Sequence, residues 1–145
     1  MRSFCVGCEK LVTAVAEGDP RAPGSAAIVA RYFREALPRH AEDEDESLTP
    51  RLLAVRPALA PVLAELEREH HEIVRRLPVV CASLDAIAVG QLEAPREFAR
   101  EVAELVALLR NHIEVEETTW FPWVDTIPAD ERTSIREEMA ERRRR

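Results

Sequence analysis

Three of the four histidines in this chain sit on apolar stripes, where a solvated side chain has no place. Along four stretches, apolar residues recur at spacings of three and four, the period of a helix with one buried face. The first stretch runs from about Ser3 to Glu17 on Phe4, Cys5, Cys8, Leu11, Val12 and Val15, and Gly18-Asp19-Pro20 stops it. The second opens at Ser25, an expected N-cap, and its stripe of Val29, Phe33, Ala36 and Leu37 leads to His40 and Glu44. The third, from about Pro57 to Ile87, carries Leu63, Leu66, His70, Ile73 and Leu77 along one side and closes at Gly90. The fourth begins near Pro95 and ends around Pro122, with Phe98, Val102, Leu105, Leu109, His112 and Glu116 on one face. Pro38 predicts a kink before His40, Pro50 an end or a new turn, and Pro78 a bend or break in the third helix. A solvent-facing tail helix is expected after Pro128. The expected fold is all-α: an up-down four-helix bundle with a short C-terminal helix, forming one domain over residues 1–145.

Two segments repeat one pattern. His40 is followed by Glu44 and Pro50, and His112 by Glu116 and Pro122, at the same offsets. Residues i and i+4 point to one side of a helix, so each segment presents an imidazole and a carboxylate to one region of space. His70 adds a third imidazole, while His71 falls about 100° further round and belongs on the flank. Taken singly, a buried histidine is usually a satisfied core residue, and the acidic run from Glu42 to Glu46 reads as a solvated face. The coincidence of three helices changes that balance. Unpartnered carboxylates in a core cost several kcal/mol or more, and a metal ion relieves that cost by taking deprotonated oxygen and nitrogen ligands. Mixed imidazole and carboxylate donors suit iron, manganese or zinc better than magnesium or calcium.

Composition excludes several alternatives. A net charge of −7 disfavours nucleic acid as a partner. The run from Arg142 to Arg145 is expected to be a frayed helix end whose cations complement the helix dipole. No apolar stretch reaches the ~20 residues of a membrane span, and Met1-Arg2-Ser3-Phe4 lacks the apolar core of a secretory leader, so the expected compartment is the cytoplasm. Cys5, Cys8 and Cys81 are too few for a disulfide framework. There is no Gly-x-Ser-x-Gly, and Glu69-His70-His71-Glu72 is not the His-Glu-x-x-His pattern of zinc proteases.

The motifs His40-x-x-x-Glu44 with Pro50, Glu69-His70 before Glu72-Ile73, and His112-x-x-x-Glu116 with Trp120-Phe121-Pro122 resemble the hemerythrin and HHE-domain family. The resemblance spans essentially the whole chain. It implies non-haem iron, as two ions with an oxo or hydroxo bridge, held by His40, Glu44, His70, His112 and Glu116, the two glutamates bridging; zinc or manganese is the alternative metal. It also implies a small ligand such as dioxygen, peroxide or nitric oxide. Two departures stand out. Val74 occupies the position where oxygen carriers have a second histidine of the third helix, which places the chain nearer the iron–sulfur repair and sensor branch. Cys8 stands where the first helix normally supplies a histidine.

Cys8 has three readings: a thiolate metal ligand, a redox partner of Cys5, or a small buried hydrophobe. Tyr32 is either a hydrogen-bond donor toward the centre or an amphipathic boundary residue, and Cys81 is expected in the core. Trp120, Phe121 and Trp123 are expected to cap the bundle end. Three functions remain in view: a protein that binds or senses a small oxidant or gas, an iron-dependent redox enzyme or repair factor, and a bundle stabilised by zinc or a single metal. The sequence singles out no protein partner.

Overall fold

A computed structural model describes residues 1–91 and 95–144; Arg145 of the basic run lies outside them. Every regular element among the described residues is helical. The first helix spans Arg2–Glu17 and closes at Gly18, whose φ of 68° is a left-handed cap that returns the Asp19 N–H to the Ala14 carbonyl. The second rod is assembled from Ala22–Arg31, Tyr32–Ala36, Leu37–Glu42, Asp43–Leu48 and Thr49–Val55. The third helix is Ala60–Ala88, entered through a short 3₁₀ turn, Pro57–Leu59. The fourth, Pro95–Val115, continues through Glu116–Trp120, and a 3₁₀ segment, Phe121–Thr126, leads to a fifth helix, Ala129–Arg142.

Several expectations change in detail. The second rod starts at Ala22, with Ser25 inside it, because Asp19 does the work of the start: its carboxylate accepts the Arg21 N–H at 2.8 Å. The rod stays helical through Pro38 and Pro50, and each proline stands at the start of a new α segment, Leu37–Glu42 and Thr49–Val55, the new turn expected at Pro50. Each follows a widened π turn, Tyr32–Ala36 and Asp43–Leu48, and Pro122 likewise follows the π turn Glu116–Trp120. A proline removes the N–H that would bond the carbonyl four residues back, and its ring crowds that carbonyl. Those carbonyls belong to Arg34, Glu46 and Thr118, each inside one of the π turns, where wider spacing relieves the clash. Pro78 does not break the third helix. It lies on an exposed face, where the freed carbonyl can meet water.

The first helix packs on the second rod and the fourth helix, and the third helix packs on both of those as well. Cross-helix ion pairs show the sense of the packing. Arg2 meets Glu117 while Glu9 meets Arg110, and Arg76 meets Glu104 while Glu69 meets His112. Numbers rise on one helix as they fall on its neighbour. Two apolar clusters fill the interior. The larger contains Cys5, Cys8, Phe33, Leu37, Ile73 and Leu109; the smaller contains Leu48, Leu52, Leu66, Trp120, Ile127 and Ile135.

The fifth helix is not simply solvent-facing. Ile135 is buried in the smaller cluster, and Arg142 is no frayed cation. Arg142 donates to Asp43 at 3.0 Å, to Glu46 at 3.0 Å and to the Ser47 hydroxyl at 2.9 Å, while Arg143 donates to Asp43 at 2.6 Å. Asp43 and Ser47 are buried, so these bonds satisfy acceptors that would otherwise lie unpaired and pin the tail to the second rod.

Candidate metal centre

Each of three helices changes from one apolar cluster to the other across a short polar interval. On the second rod the interval between Leu37 and Leu48 holds His40 and Glu44; on the third helix His70 lies between Leu66 and Ile73; on the fourth, His112 and Glu116 precede Trp120. The helices pack at a common level, so the intervals form one polar layer across the bundle. Glu44, His70, His112 and Glu116 are all buried, and one ligand atom from each lies within 4.8 Å of the others.

His112 Nε2 lies 2.9 Å from Glu116 Oε1, and His70 Nε2 lies 3.3 Å from Glu44 Oε2. The His70 and His112 rings are 4.5 Å apart. His40 joins from the rim, its Nε2 lying 3.3 Å from Glu44 Oε1 and 3.9 Å from Glu116 Oε1, with 34% of its side chain exposed. The other face of two rings is fixed by carboxylates. Asp45 Oδ1 is 2.8 Å from His70 Nδ1, and Glu69 Oε2 is 2.8 Å from His112 Nδ1. Such a partner accepts a hydrogen bond from Nδ1–H, which favours the tautomer whose Nε2 lone pair points into the layer.

The inward atoms are orphans. The Nε2 atoms of His40, His70 and His112 and Oε1 of Glu116 are buried without a hydrogen bond among the described residues. Buried polar atoms without partners cost about 1–3 kcal/mol each. Four that converge, two of them on rings held at Nδ1 by Asp45 and Glu69, form a donor set of imidazole nitrogens and carboxylate oxygens. That set fits a transition-metal ion.

The charge balance without an ion shows the same crowding. Burial pushes Glu44 up to about 7, with His70 opposing and Glu116 reinforcing the rise. Burial also acts to raise Glu116, but the facing His112, with Glu44 and His40 beside it, outweighs burial and holds Glu116 below the usual carboxylate range. Burial lowers His70, yet Asp45 and Glu44 overcome it and hold the ring up to about 9. Burial outweighs the nearby Glu116 at His40 and keeps that ring below its ordinary value. One carboxyl is thus driven toward neutrality while its neighbour stays ionised, as expected of two acids crowded into one site.

Cys8 is placed elsewhere. It is buried in the larger apolar cluster with Cys5 and Leu11, outside the four-residue group, and burial pushes its thiol up to about 12. Cys5, Cys8 and Cys81 are all free thiols in the core, and Tyr32 stacks on Phe4 with ring centroids 3.6 Å apart. His71 is exposed on the flank. Trp120 is buried at the bundle end, Trp123 is half-buried beneath the Arg56 guanidinium, and Phe121 is largely exposed. The roles of Asp45 and Glu69 were not legible in sequence. Asp45 was hidden in an acidic run, and the only signal was that each adjoins a candidate ligand, Glu44 or His70.

Two cavities flank the layer. A small one of about 10 Å³ lies against the His40, His70 and His112 rings and is otherwise walled by residues including Leu37, Ile73 and Leu109. A larger one of about 490 Å³ opens on His40 and Glu44 from the side of the fifth helix. No helix among the described residues is long and apolar enough to cross a membrane. Compared with known families, residues 2–124 match the model of the Hemerythrin HHE cation binding domain. No curated protein matches the chain.

Proposed function

The chain belongs to the hemerythrin HHE cation-binding family, and from that premise we propose that it holds two non-haem irons in the polar layer and uses them to bind or sense dioxygen, peroxide or nitric oxide. The observation that carries the reading is the convergence of three unpartnered Nε2 atoms with Glu116 Oε1. Antiparallel ion-pair registers on neighbouring helices support an up-down four-helix bundle as its frame.

In this reading His40, His70 and His112 would hold the metal through Nε2, and Glu44 and Glu116, whose carboxylates lie close together in the layer, would supply its oxygen ligands. Asp45 and Glu69 hold the Nδ1 protons of His70 and His112 and so keep Nε2 free. Iron bound there supplies reversible one-electron chemistry and an open position for a small ligand. The cavity beside the three rings has space for about one water-sized molecule, which suits a diatomic ligand and excludes bulk water. Cys8 is assigned to packing, the role that its position in the apolar cluster supports.

A second reading also has an observation behind it. Four donors within 4.8 Å of one another are also a sufficient set for a single ion such as zinc. Anaerobic reconstitution with ferrous iron, metal analysis and exposure to air separate the two. Two irons per chain and a new near-ultraviolet or visible absorption band on oxidation are expected. One zinc per chain with no iron uptake selects the single-ion reading, and no tightly held transition metal overturns both.

A further inference from the structure

We propose that the 490 Å³ cavity between the fifth helix and the bundle is a binding site for an amphipathic organic carboxylate, separate from the small-ligand position inside the polar layer. Its size is that of a small-molecule site. Much of its wall is apolar, from Leu48, Trp120, Val124, Ile135 and Met139. Yet three arginines, Arg132, Arg136 and Arg143, also line it, in a chain whose net charge is −7.

Only one of the three is neutralised at close range by a buried acid. Arg143 is bound to Asp43, which Arg142 also holds. Arg132 donates to the Asp125 carbonyl, and the Asp125 carboxylate stays fully exposed 3.8 Å away. Arg136 donates to the Thr133 hydroxyl and forms no ion pair among the described residues. Asp43 and Glu44 also line the cavity, with Asp43 already bound by Arg142 and Arg143. Arg136 is left without an ion pair among the described residues, and Arg132 has only a fully exposed carboxylate at 3.8 Å. These two are the guanidinium groups that an incoming carboxylate would engage, in the bidentate geometry Arg favours.

A carboxylate suits the arginines, and a hydrocarbon body suits the apolar wall, to which the buried Trp120 contributes its ring. An occupant of this cavity also covers His40, the one half-exposed imidazole of the layer, so binding shields the centre from water on that side. The proposal goes beyond the reading of the centre and does not depend on which ion is held there.

The test uses the full chain as purified and decanoate as the probe, with decanol and decylamine as matched controls. Both tryptophans, Trp120 and Trp123, lie at this end of the bundle, so intrinsic emission reports occupancy and calorimetry gives the stoichiometry. Decanoate is expected to bind saturably, one per chain, with decanol and decylamine at least roughly tenfold weaker, the discrimination that one charge-assisted contact supplies. Arg132→Ala with Arg136→Ala should reduce decanoate to the level of decanol. Arg136→Glu, a change at an exposed position that leaves the fold intact, should weaken decanoate by a similar factor and strengthen decylamine. Equal affinities for the three probes, decanoate affinity unchanged in well-folded variants, or no saturable binding at millimolar probe would each overturn the proposal. Metal analysis of the same samples keeps its failure distinct from failure of the di-iron reading.

Discussion

Asp45 touches none of the inward-facing ligand atoms of the layer, yet its removal should cost metal affinity. Its Oδ1 lies 2.8 Å from His70 Nδ1, and its side chain is 23% exposed, so solvent screens the contact only in part. A charge-assisted hydrogen bond of this kind contributes about 1.5–3 kcal/mol, against about 0.5–1.5 kcal/mol for a neutral one. Asp45→Asn keeps an acceptor and loses the charge, so about 1 kcal/mol, or roughly fivefold in affinity, should disappear. Asp45→Ala loses the whole contact, and a weakening of about 10- to 100-fold is expected. The same carboxylate helps to hold the metal-free ring up to about 9, so at pH 7 its loss also removes a competing proton. The two effects oppose each other near neutrality, and the deficit of Asp45→Ala should be larger at pH 9 than at pH 7. Competition with a chromophoric chelator, using zinc to avoid iron hydrolysis, reads both pH values. Affinity of Asp45→Ala within about threefold of the parent at pH 9, with helix content unchanged, would refute the argument that this carboxylate orients and strengthens the ligand.

Three further outcomes follow from the same geometry. In metal-free protein His70 is held up to about 9, above its unfolded value, so its contribution is complete below the unfolded pKa and is lost as pH rises. Urea midpoints of the chelated protein should therefore fall between pH 7 and 9, and a flat profile would show that the ring has no such partners. Cys8→Ala should leave metal stoichiometry unchanged and cost about 1–2 kcal/mol of stability, as a small truncation in the larger cluster; loss of a metal equivalent by elemental analysis would restore the ligand reading of Cys8. Arg142→Ala strips hydrogen bonds from buried Asp43 and Ser47 and should cost about 1–3 kcal/mol, visible as faster amide exchange in the fifth helix; unchanged exchange there would mean that the clamp holds nothing.

Much of the layer was legible because burial and charge conflict in ways that a sequence exposes. His70 between Leu66 and Ile73, or His112 after Leu109, has to point inward if its stripe does, and the structure places both there. Features that depend on another helix were not legible. Asp45 reads as one acid among several until the third helix brings His70 against it. Arg142 reads as a frayed cation until the tail folds back on Asp43 and Ser47. Cys8 shows the opposite limit. Its stripe correctly placed it inward, but an inward stripe does not say what a residue meets there, and Cys8 is packed in the larger apolar cluster, outside the group of Glu44, His70, His112 and Glu116.

The proline six residues beyond each glutamate gives the repeated segments their common shape. Pro50 and Pro122 each deprive a carbonyl of its donor, and in both cases the backbone answers with a π turn, Asp43–Leu48 and Glu116–Trp120. Glu44 and Glu116 stand in the opening residues of those turns, so each acid projects from backbone that departs from α geometry. A π turn also advances the helix by an extra residue relative to its faces, so the apolar positions before and after it need not share one uninterrupted α-helical phase. The polar layer therefore sits where two helices change phase together. The π turn Tyr32–Ala36 before Pro38 carries no ligand, so proline alone accounts for the turns; what Glu44 and Glu116 gain is a place inside two of them, from which regular α geometry would present the acids at a different angle.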